Sequence, residues 1–454
     1  MEPRRIRSVT DARKIVRDRG LTHVKVGVHD IDGVLRGKYL HVDKFNSALD
    51  GGMGFCDVVL GWDSNDQLYD NVAFTGWHTG YPDSTVRILP ATCREIATEP
   101  GNLMFLCEFA DKAEEICPRG LLRRVLARAA KLGFEVKAGF EYEFFVFAET
   151  AHSIRDKGYR NLRPISPGFF GYSTLRNSVL SDWHRDLLAM CETMDMGIEG
   201  LHTETGAGVI EAALRLSDGL EAADRAALFK LFTKVLAQKR DWLVTFMAKW
   251  SKDWPGCGGH IHVSLWKDGK SAFFDERASR RMSRTMRQFV GGQQALMPEF
   301  LAMVAPTVNS YRRLIPGFWA PTASSWGVEN RTTALRAIPG SAKSTRVEYR
   351  VAAADANPYL ALAAAVASGL WGIEHKIDPG EPVVGNSYER KHPAKWQLPR
   401  TLMEAAGRLK SSKVARELFG AAFVDHYSAT REWEEREFRK AITEWELDRY
   451  MEII

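Results

Sequence analysis

The alternation of apolar and polar residues predicts short strands and amphipathic helices along the whole chain. Residues 24–28 alternate valine with other residues, as a half-buried strand does. Asp32-Gly33 is a hairpin signal, and a returning strand is predicted directly after it. A capped helix is predicted over 8–19, before this hairpin.

A long irregular segment and a domain boundary follow. Residues 50–85 are rich in Gly, Asp, Asn and Pro and have few periodic runs, which is typical of a functional loop or a subunit contact. At 111–119 a boundary is predicted, because Pro118 stands just before an amphipathic helix. We therefore predict a small α+β domain over 20–112 and a second domain over 113–454.

In the second domain, strands and helices follow one another without a regular β–α–β alternation. Phe134–Phe147 is predicted as a pair of strands, and Asn357-Pro358 as the start of an Ala-rich helix. The other predicted helices cover 181–196, 218–240, 279–301 and 400–452, and the other strands 200–215, 241–266, 330–338 and 344–352. This order predicts an α+β fold with an antiparallel sheet, not a Rossmann fold or a barrel.

Composition narrows the function classes. The 454 residues are 45% hydrophobic and 26% charged, with a net charge of +5 and no long basic block, so nucleic-acid or membrane binding has little support. The six cysteines are scattered, which predicts reduced thiols rather than a disulfide framework or zinc site. Without an apolar leader or an apolar stretch of about 18 residues, the expected location is cytoplasmic.

One strand carries polar chemistry on a single face. After the Pro/Gly-rich residues 255–259, His260, His262 and Ser264 point to one side and the residues between them are apolar. The Gly-rich approach lets backbone come close to a ligand. This face predicts a binding site.

Acidic residues recur in pairs elsewhere. Glu141 and Glu143 are two apart on a Phe-rich strand, so both carboxylates face one side. An exposed edge strand would explain them, but a buried strand needs a cation to offset their repulsion. Glu204 and Glu211 bracket a Gly-rich turn. In Arg346–Arg350 two arginines and Glu348 alternate onto one face, which a surface charge ladder would also explain.

Together these residues predict a metal-dependent phosphoryl-transfer site. Five glutamates and His260 suffice for two oxygen-ligated divalent ions, which suits Mg²⁺ or Mn²⁺. Five carboxylates would repel a phosphate chain unless arginines lie beside them. The sequence offers Arg313, Arg331, Arg336, Arg346 and Arg350 for this role. The site suits phosphoryl transfer from ATP to an oxygen acceptor, and a P-loop motif is absent from the sequence.

The order of these elements resembles the glutamine synthetase family over nearly the whole chain. The matching stretches are Asp30 to Gly33, Arg36 to Lys38, Gly80 to Asp83, Pro118-Arg119, Gly139 to Phe145, Glu204 to Glu211, Gly258 to Ser264, Asn309 to Leu314, Trp326-Gly327, Asn330-Arg331, Arg346 to Arg350 and Asn357 to Tyr359. The resemblance implies an N-terminal β-grasp domain and a catalytic domain with a curved antiparallel sheet flanked by helices. It also implies a homo-oligomer, usually a dodecamer of two hexameric rings with sites between subunits, and two to three Mg²⁺ or Mn²⁺ ions per site.

The same resemblance implies residue roles. Glu143, Glu204 and Glu211 are expected to bind one metal, and Glu141, His260 and Glu348 the other. His262 and Ser264 are expected at the nucleotide, with Arg331, Arg336 and Arg346 on phosphates and Arg336 also catalytic. Gly256, Arg313 and Arg350 are expected at glutamate. Asp63 is the expected acid that helps to deprotonate the amine in a neighbouring site, with Asp57 as the alternative.

Two departures concern the substrates. Trp319 stands where ammonia-using members have a flap glutamate, and Pro255 replaces an asparagine that touches the amino acid. A tryptophan offers apolar area and a π face for an organic amine, so Trp319 is a predicted catalytic and substrate-binding residue. The alternative is that Trp319 only packs the flap.

The predicted reaction is ATP-dependent joining of glutamate to an amine that is not ammonia. The γ-carboxylate would become an acyl phosphate, which gives it a leaving group. Alternatives are glutamine synthesis from ammonia, a phosphotransferase related to guanidino kinases, and a non-catalytic relative. The sequence leaves the amine open and does not establish the acid as glutamate.

Overall fold

Helices and strands are interspersed along the chain in the computed structural model, which describes residues 2–454. The helices are α1 (Val9–Asp18), α2 (Val42–Gly51), α3 (Pro118–Lys131), α4 (Ser153–Asp156), α5 (Thr174–Val179), α6 (Ser181–Thr193), α7 (Gly219–Gln238), α8 (Arg284–Val304), α9 (Ser310–Arg313), α10 (Pro358–Glu374), α11 (Leu402–Ser411), α12 (Lys413–Phe419), α13 (Ala421–Phe438) and α14 (Glu444–Tyr450). The strands are β1 (His23–His29), β2 (Leu35–His41), β3 (Met53–Cys56), β4 (Asp83–Ile88), β5 (Arg94–Glu95), β6 (Leu103–Phe109), β7 (Glu135–Phe147), β8 (Ile198–Thr203), β9 (Val209–Leu214), β10 (Ser217–Asp218), β11 (Leu243–Thr245), β12 (Gly259–Lys267), β13 (Lys270–Ser271), β14 (Trp326–Val328), β15 (Leu335–Ile338) and β16 (Arg346–Tyr349).

The N-terminal sheet has the strand order β2-β1-β6-β4-β3, and β5 pairs with β6. The predicted hairpin is confirmed, since β1 and β2 are antiparallel, whereas β1 and β6 are parallel. Helix α2 packs on this sheet and α1 packs on α2, which is the mixed sheet-and-helix layer expected of a grasp domain. One apolar cluster extends from Ile6 to Cys117 and includes Ile15 and Val16 of α1. This apolar unit therefore begins before residue 20, and the division at 112/113 stays a prediction.

The predicted irregular segment over 50–85 is shorter in the structure. Helix α2 extends to Gly51, β3 follows at once, and β3 pairs with β4 from Cys56↔Asp83 to Met53↔Val86. The prediction of irregular structure was wrong at both ends, because this pairing joins segments about 30 residues apart and leaves no local periodicity. Residues 61–82 contain neither helix nor strand.

The second sheet has the order β14-β15-β16-β12-β7-β9-β8, with β10 and β11 beside β7 and β13 beside β12. Its neighbours are antiparallel except β14 and β15. The prediction of two strands over Phe134–Phe147 was wrong: β7 is one continuous strand of 13 residues. Strand β7 lies inside the sheet and pairs with β12 on one side and β9 on the other, and no hairpin turn interrupts it.

Buried helices support the back of the second sheet. Helix α10 packs against α3, α7 and α8. Its predicted start is confirmed, since the Asn357 side chain accepts a hydrogen bond from Tyr359 N and Pro358 occupies the first turn. The Asn357 amide also donates to the Asp30 and Ile31 carbonyls, at 3.3 and 3.1 Å. This helix start therefore also connects the N-terminal sheet region to the helices that pack on the second sheet.

Buried ion pairs strengthen that connection. Arg119 on α3 donates to Glu108 of β6 at 2.8 Å and to Asp224 of α7 at 2.9 Å. Arg431 on α13 donates to Asp32 at 2.7 Å and is almost fully buried. Within residues 2–454, no helix has the length and apolar character needed to cross a bilayer.

Candidate active site

Sheet register brings the predicted site residues into one row across five strands. His260 on β12 lies opposite Glu141 on β7, and Glu143 lies opposite Glu211 on β9. On the other side, His262 pairs with Glu348 on β16, which pairs with Arg336 on β15. Glu141 and Glu348, 207 positions apart in the chain, thus share one face of the sheet.

This face forms a cavity of about 630 Å³. Twelve of the predicted site residues line it: Glu141, Glu143, Glu204, Glu211, Gly256, His260, Arg313, Trp319, Arg331, Arg336, Glu348 and Arg350. Tyr172, His202, Pro255 and Phe318 also line it. The structure therefore places all six predicted metal residues around a single space.

One acidic group contains Glu141, His260 and Glu348. His260 Nδ1 lies 3.6 Å from Glu141 Oε2 and 3.4 Å from Glu348 Oε1. Burial raises the pKa of the Glu141 carboxyl, but His262 and His260 outweigh it and hold that pKa well below its usual range. Burial likewise raises the pKa of Glu348, and Arg350 and the two histidines bring it below its usual value. Both carboxylates are therefore ionised and converge on one imidazole nitrogen.

His262 also approaches this group, with Nε2 3.0 Å from Glu141 Oε1. Glu141, His262 and Glu348 offer ligand atoms within 4.8 Å of one another, so His262, which is expected at the nucleotide, is also placed as a candidate ligand of this group. Arg346 Nε donates to His262 Nδ1 at 3.1 Å, so Nδ1 is the acceptor of that contact and Nε2 is the nitrogen that faces the carboxylates. The assignment of His260 rather than His262 to this metal group stays a prediction.

A second acidic group contains a residue that sequence reasoning missed. His202, Glu204 and Glu211 place one ligand atom each within 4.8 Å of one another. His202 Nδ1 donates to the Thr203 carbonyl at 3.1 Å, so its Nε2 lone pair faces Glu211 Oε1 at 3.2 Å. Two lone pairs at that distance need a proton or a cation between them. Burial lowers the pKa of His202, but the Glu211 contact raises it above its usual value.

Glu143 completes the acidic face between the two groups. It is half-buried and accepts a hydrogen bond from Gly258 N. Burial raises the pKa of the Glu143 carboxyl, and the negative charge of Glu211 raises it further. His260 lowers this pKa but does not cancel the rise. A cation shared by Glu143 and Glu211 would offset the repulsion between their carboxylates. The donor set of five carboxylates and two imidazoles therefore fits hard divalent ions. His260 Nε2 is buried without a hydrogen-bond partner among residues 2–454.

Glycines bring the backbone against the site. A Cβ at Gly256 would lie 2.5 Å from the Ala248 carbonyl and 2.8 Å from Arg313 Cγ. At Gly258 it would lie 2.6 Å from His260 Nε2. At Gly256 the nearest neighbour is backbone, so only glycine fits, whereas at Gly258 a larger residue would displace the His260 ring. These close contacts explain the Gly-rich approach to β12.

The arginines divide into held and free groups. Arg313 is buried and donates to the Val351 and Arg350 carbonyls, at 3.1 and 3.2 Å. Arg350 donates to Glu348 Oε1, and Arg336 donates to Glu348 Oε2 at 3.1 Å. Arg331 is exposed and makes no ion pair within the described chain. The cavity thus has several fixed positive charges beside the acidic face.

Three predicted nucleotide residues, His262, Ser264 and Arg346, lie beside the cavity rather than on its wall. Ser264 is buried and its Oγ accepts a hydrogen bond from Trp266 Nε1 at 2.9 Å. Arg346 donates to His262 and to the Ser344 carbonyl. With His262 they extend the row along β12 and β16, and their nucleotide role stays a prediction.

An aromatic segment covers one side of the cavity. Trp319 is 61% exposed and has a left-handed backbone with φ 57°. Lys249 Nζ lies 4.5 Å from the ring centre of the adjacent Phe318. Across the cavity, Tyr172 stacks on His202 with ring centres 4.2 Å apart. Trp319 is thus available to a ligand rather than packed into the core.

The predicted first-domain acids do not reach this cavity. Asp63 Oδ1 accepts from Asn65 N and Gln67 N, both at 2.8 Å, and so organises its own loop. Asp57 is buried and accepts from Thr75 Oγ1, and burial raises its pKa. A role in the site of a neighbouring subunit stays a prediction for both.

Comparisons with known proteins show the family to which the chain belongs. The family model for the glutamine synthetase catalytic domain matches residues 115–450. The chain belongs to the glutamine synthetase family. Its structure superposes on the GmaS/ADP complex with a TM-score of 0.85 and 26% identity, covering 97% of this chain and 99% of that one.

Three relatives within the family differ in their acceptors. Type-1 glutamine synthetase 2 of Dictyostelium discoideum is 47% identical over 95% of this chain and 84% of its own length. Glutamate–isopropylamine ligase of a Pseudomonas species is 34% identical over 99% of both chains. Gamma-glutamylethanolamide synthetase GlnA4 of Streptomyces coelicolor is 36% identical over 93% of this chain and 91% of its own. The chain is therefore a carbon–nitrogen ligase that forms amide bonds, in a family that uses ATP and divalent metal ions.

Proposed function

We propose that the chain is a γ-glutamyl-amine synthetase, which joins the γ-carboxylate of glutamate to an amine other than ammonia. Trp319 carries the proposal, because it presents an aromatic face to the cavity. The segment 316–321 contains no acidic residue, so it offers no carboxylate to attract ammonium or to take its proton. An apolar amine substituent would instead find Trp319, Phe318 and Pro255.

The proposed chemistry has two steps. A γ-carboxylate oxygen of glutamate attacks the γ-phosphorus of ATP, and the bond to ADP breaks. The amine nitrogen then attacks the acyl carbon, phosphate leaves and the amine loses a proton. All four arginines line the cavity: Arg336 and Arg331 would stabilise transferred phosphate charge, and Arg313 and Arg350 would hold the glutamate carboxylate.

The acidic groups would hold Mg²⁺ or Mn²⁺. Glu141, His260 and Glu348 would bind one ion, and Glu143, Glu204 and Glu211 another, with His202 as an added ligand of the second group. When bound, these ions neutralise phosphate charge. A dodecamer of two hexameric rings, with Asp63 or Asp57 supplied across a subunit boundary, is part of the same proposal.

Amide formation with a panel of acceptors tests the proposal. Phosphate release and amide product are measured with ATP, glutamate, Mn²⁺ and either ammonium, methylamine, isopropylamine, ethanolamine, putrescine or aniline. An organic amine is expected to have the highest kcat/KM. Ammonium as the best acceptor would instead identify a glutamine synthetase, the function named for the 47%-identical relative.

Two further classes have distinct outcomes in the same assay. ATP turnover without an amide product would indicate a phosphotransferase, although the N-terminal sheet argues against one. Absence of ATP binding in the presence of Mn²⁺ would indicate a non-catalytic relative. The six predicted metal residues around one cavity disfavour that class.

A further inference from the structure

Arg336 is held between two carboxylates. Along one edge its Nε donates to Glu329 Oε2 at 3.0 Å, and its Nη2 donates to the same oxygen. Its Nη1 donates to Glu348 Oε2 at 3.1 Å. A guanidinium has five N–H donors, so these contacts leave two for a ligand in the cavity that Arg336 lines.

The backbone holds Glu329 in an unusual conformation. Glu329 has φ 50°, in the left-handed region that costs a non-glycine residue about 1–3 kcal/mol. Its N–H donates to the Ala337 carbonyl at 3.0 Å. The next side chain, Asn330, donates to the Val383 and Gly385 carbonyls at 3.1 and 2.9 Å. Backbone strain of this kind persists where surrounding contacts enforce it, and it is frequent at functional sites.

The two partners of Arg336 have different environments. The Glu348 side chain is 1% exposed and belongs to the proposed metal group, whereas the Glu329 side chain is 48% exposed and lies outside the cavity wall. If Glu329 were absent, Glu348 would be the remaining carboxylate partner of Arg336 within the described chain. The guanidinium would then pair more closely with a residue that is needed for the metal ion.

We propose that Glu329 is a positioning residue, which holds Arg336 by its Nε–Nη2 edge and directs the two free N–H groups at the phosphoryl group in transit. Glu329 touches neither substrate nor metal and acts only through Arg336. The proposal rests on the proposed function for its kinetic consequence. Its effect on metal binding follows from the contacts alone.

Three variants test it: Glu329→Ala, Glu329→Gln and the control Glu404→Ala. The control removes an exposed pair with Arg408, whose atoms are 2.6 Å apart on α11. Glu329→Ala is expected to lower kcat about tenfold or more and to leave the KM for glutamate unchanged, since supporting contacts typically contribute 10- to 100-fold. Mn²⁺ affinity, titrated by electron paramagnetic resonance without substrates, is expected to fall. Glu329→Gln keeps an oxygen acceptor and should retain part of both properties.

The outcomes separate this inference from the proposed function. Wild-type kcat and Mn²⁺ affinity in Glu329→Ala would overturn it, as would equal losses in the Ala and Gln variants, which would show an effect of net charge alone. If the wild type forms no amide with any acceptor, the proposed function fails while the Mn²⁺ titration still decides the positioning role. Thermal unfolding compares the folding of all variants, and Glu329→Gln carries the test if the Ala variant does not fold.

Discussion

Replacement of Trp319 by alanine is expected to weaken binding of an organic amine selectively. Trp319 is 61% exposed, and a tryptophan side chain presents roughly 200 Å², so roughly 120 Å² is available to a ligand. An alkylamine that covers half of this area removes about 60 Å² from water, which is worth about 1.5 kcal/mol. Its positive charge over the ring adds about 0.5–1 kcal/mol. Together these terms correspond to a rise in KM of about 30- to 70-fold.

The assay measures amide formation at saturating ATP and glutamate while the acceptor is varied. Trp319→Ala should raise KM for isopropylamine or ethanolamine and leave KM for ATP unchanged. Trp319→Leu keeps apolar area without the π face and should show a smaller rise. Trp445 on α14 is similarly exposed, at 62%, and lies outside the cavity, so Trp445→Ala is the matched control.

The selectivity of the effect decides the interpretation. If Trp319→Ala changes KM for ammonium by the same factor as for the organic amine, Trp319 affects the conformation of the flap segment 316–321 rather than binding of the amine. If neither KM changes, Trp319 only packs the flap and the acceptor argument is refuted. Trp319→Glu should increase ammonium use, because it restores an acid beside the acceptor.

Three further predictions concern the metal face, pH and the domain connection. Gly258→Ala places a Cβ 2.6 Å from His260 Nε2 and should lower Mn²⁺ affinity by about 10-fold or more, whereas Gly407→Ala, with open space around the new Cβ, should not; equal affinities would contradict the role of His260. Burial lowers the pKa of His29 and His426 from 6.5 to about 4, so the unfolded state binds more protons and Tm should fall as pH decreases from 6.5 towards 4. His426→Gln should reduce the dependence of Tm on pH, and an unchanged dependence would refute this role of the buried histidine. Arg119→Ala leaves Asp224 buried without its ion-pair partner, while Glu108 keeps its contact with Arg123, and should destabilise the fold by about 3–5 kcal/mol in denaturant unfolding. The exposed Arg185→Ala control should cost less than about 0.5 kcal/mol, and similar losses in both variants would contradict the buried-pair argument.

Local patterns predicted the elements that have strong periodicity or distinct caps. The β1–β2 hairpin follows from valine alternation around Asp32-Gly33, and α10 follows from Asn357-Pro358 before an apolar run. Helix α8 begins at Arg284 rather than near 279, because Arg280 and Arg281 have left-handed backbones that a helical pattern does not reveal. β3 was missed because its partner β4 lies far along the chain.

The same limit applies to the site. The alternation of His260 and His262, the spacing of Glu141 and Glu143 and the resemblance to the family were enough to nominate the residues that line the cavity. His202 was missed, although it lies two residues before Glu204, and this His-x-Glu spacing at the end of a strand was available as a signal. Glu329 had no comparable signal, because its importance depends on a left-handed backbone and on Arg336 seven residues later.

The sequence by itself determined which carboxylates, imidazoles and arginines share strand faces. Through the resemblance to the family, it also indicated that Trp319 replaces the flap glutamate of ammonia-using members and that Pro255 replaces an asparagine at the amino acid. Strand alternation has a period of two, so it shows which side of a strand a residue occupies but not which strand pairs with it. Tertiary structure decided which faces meet, which nitrogen of His262 is an acceptor and which carboxylates share Arg336. These depend on the register between β7, β9, β12, β15 and β16, which non-local hydrogen bonds set.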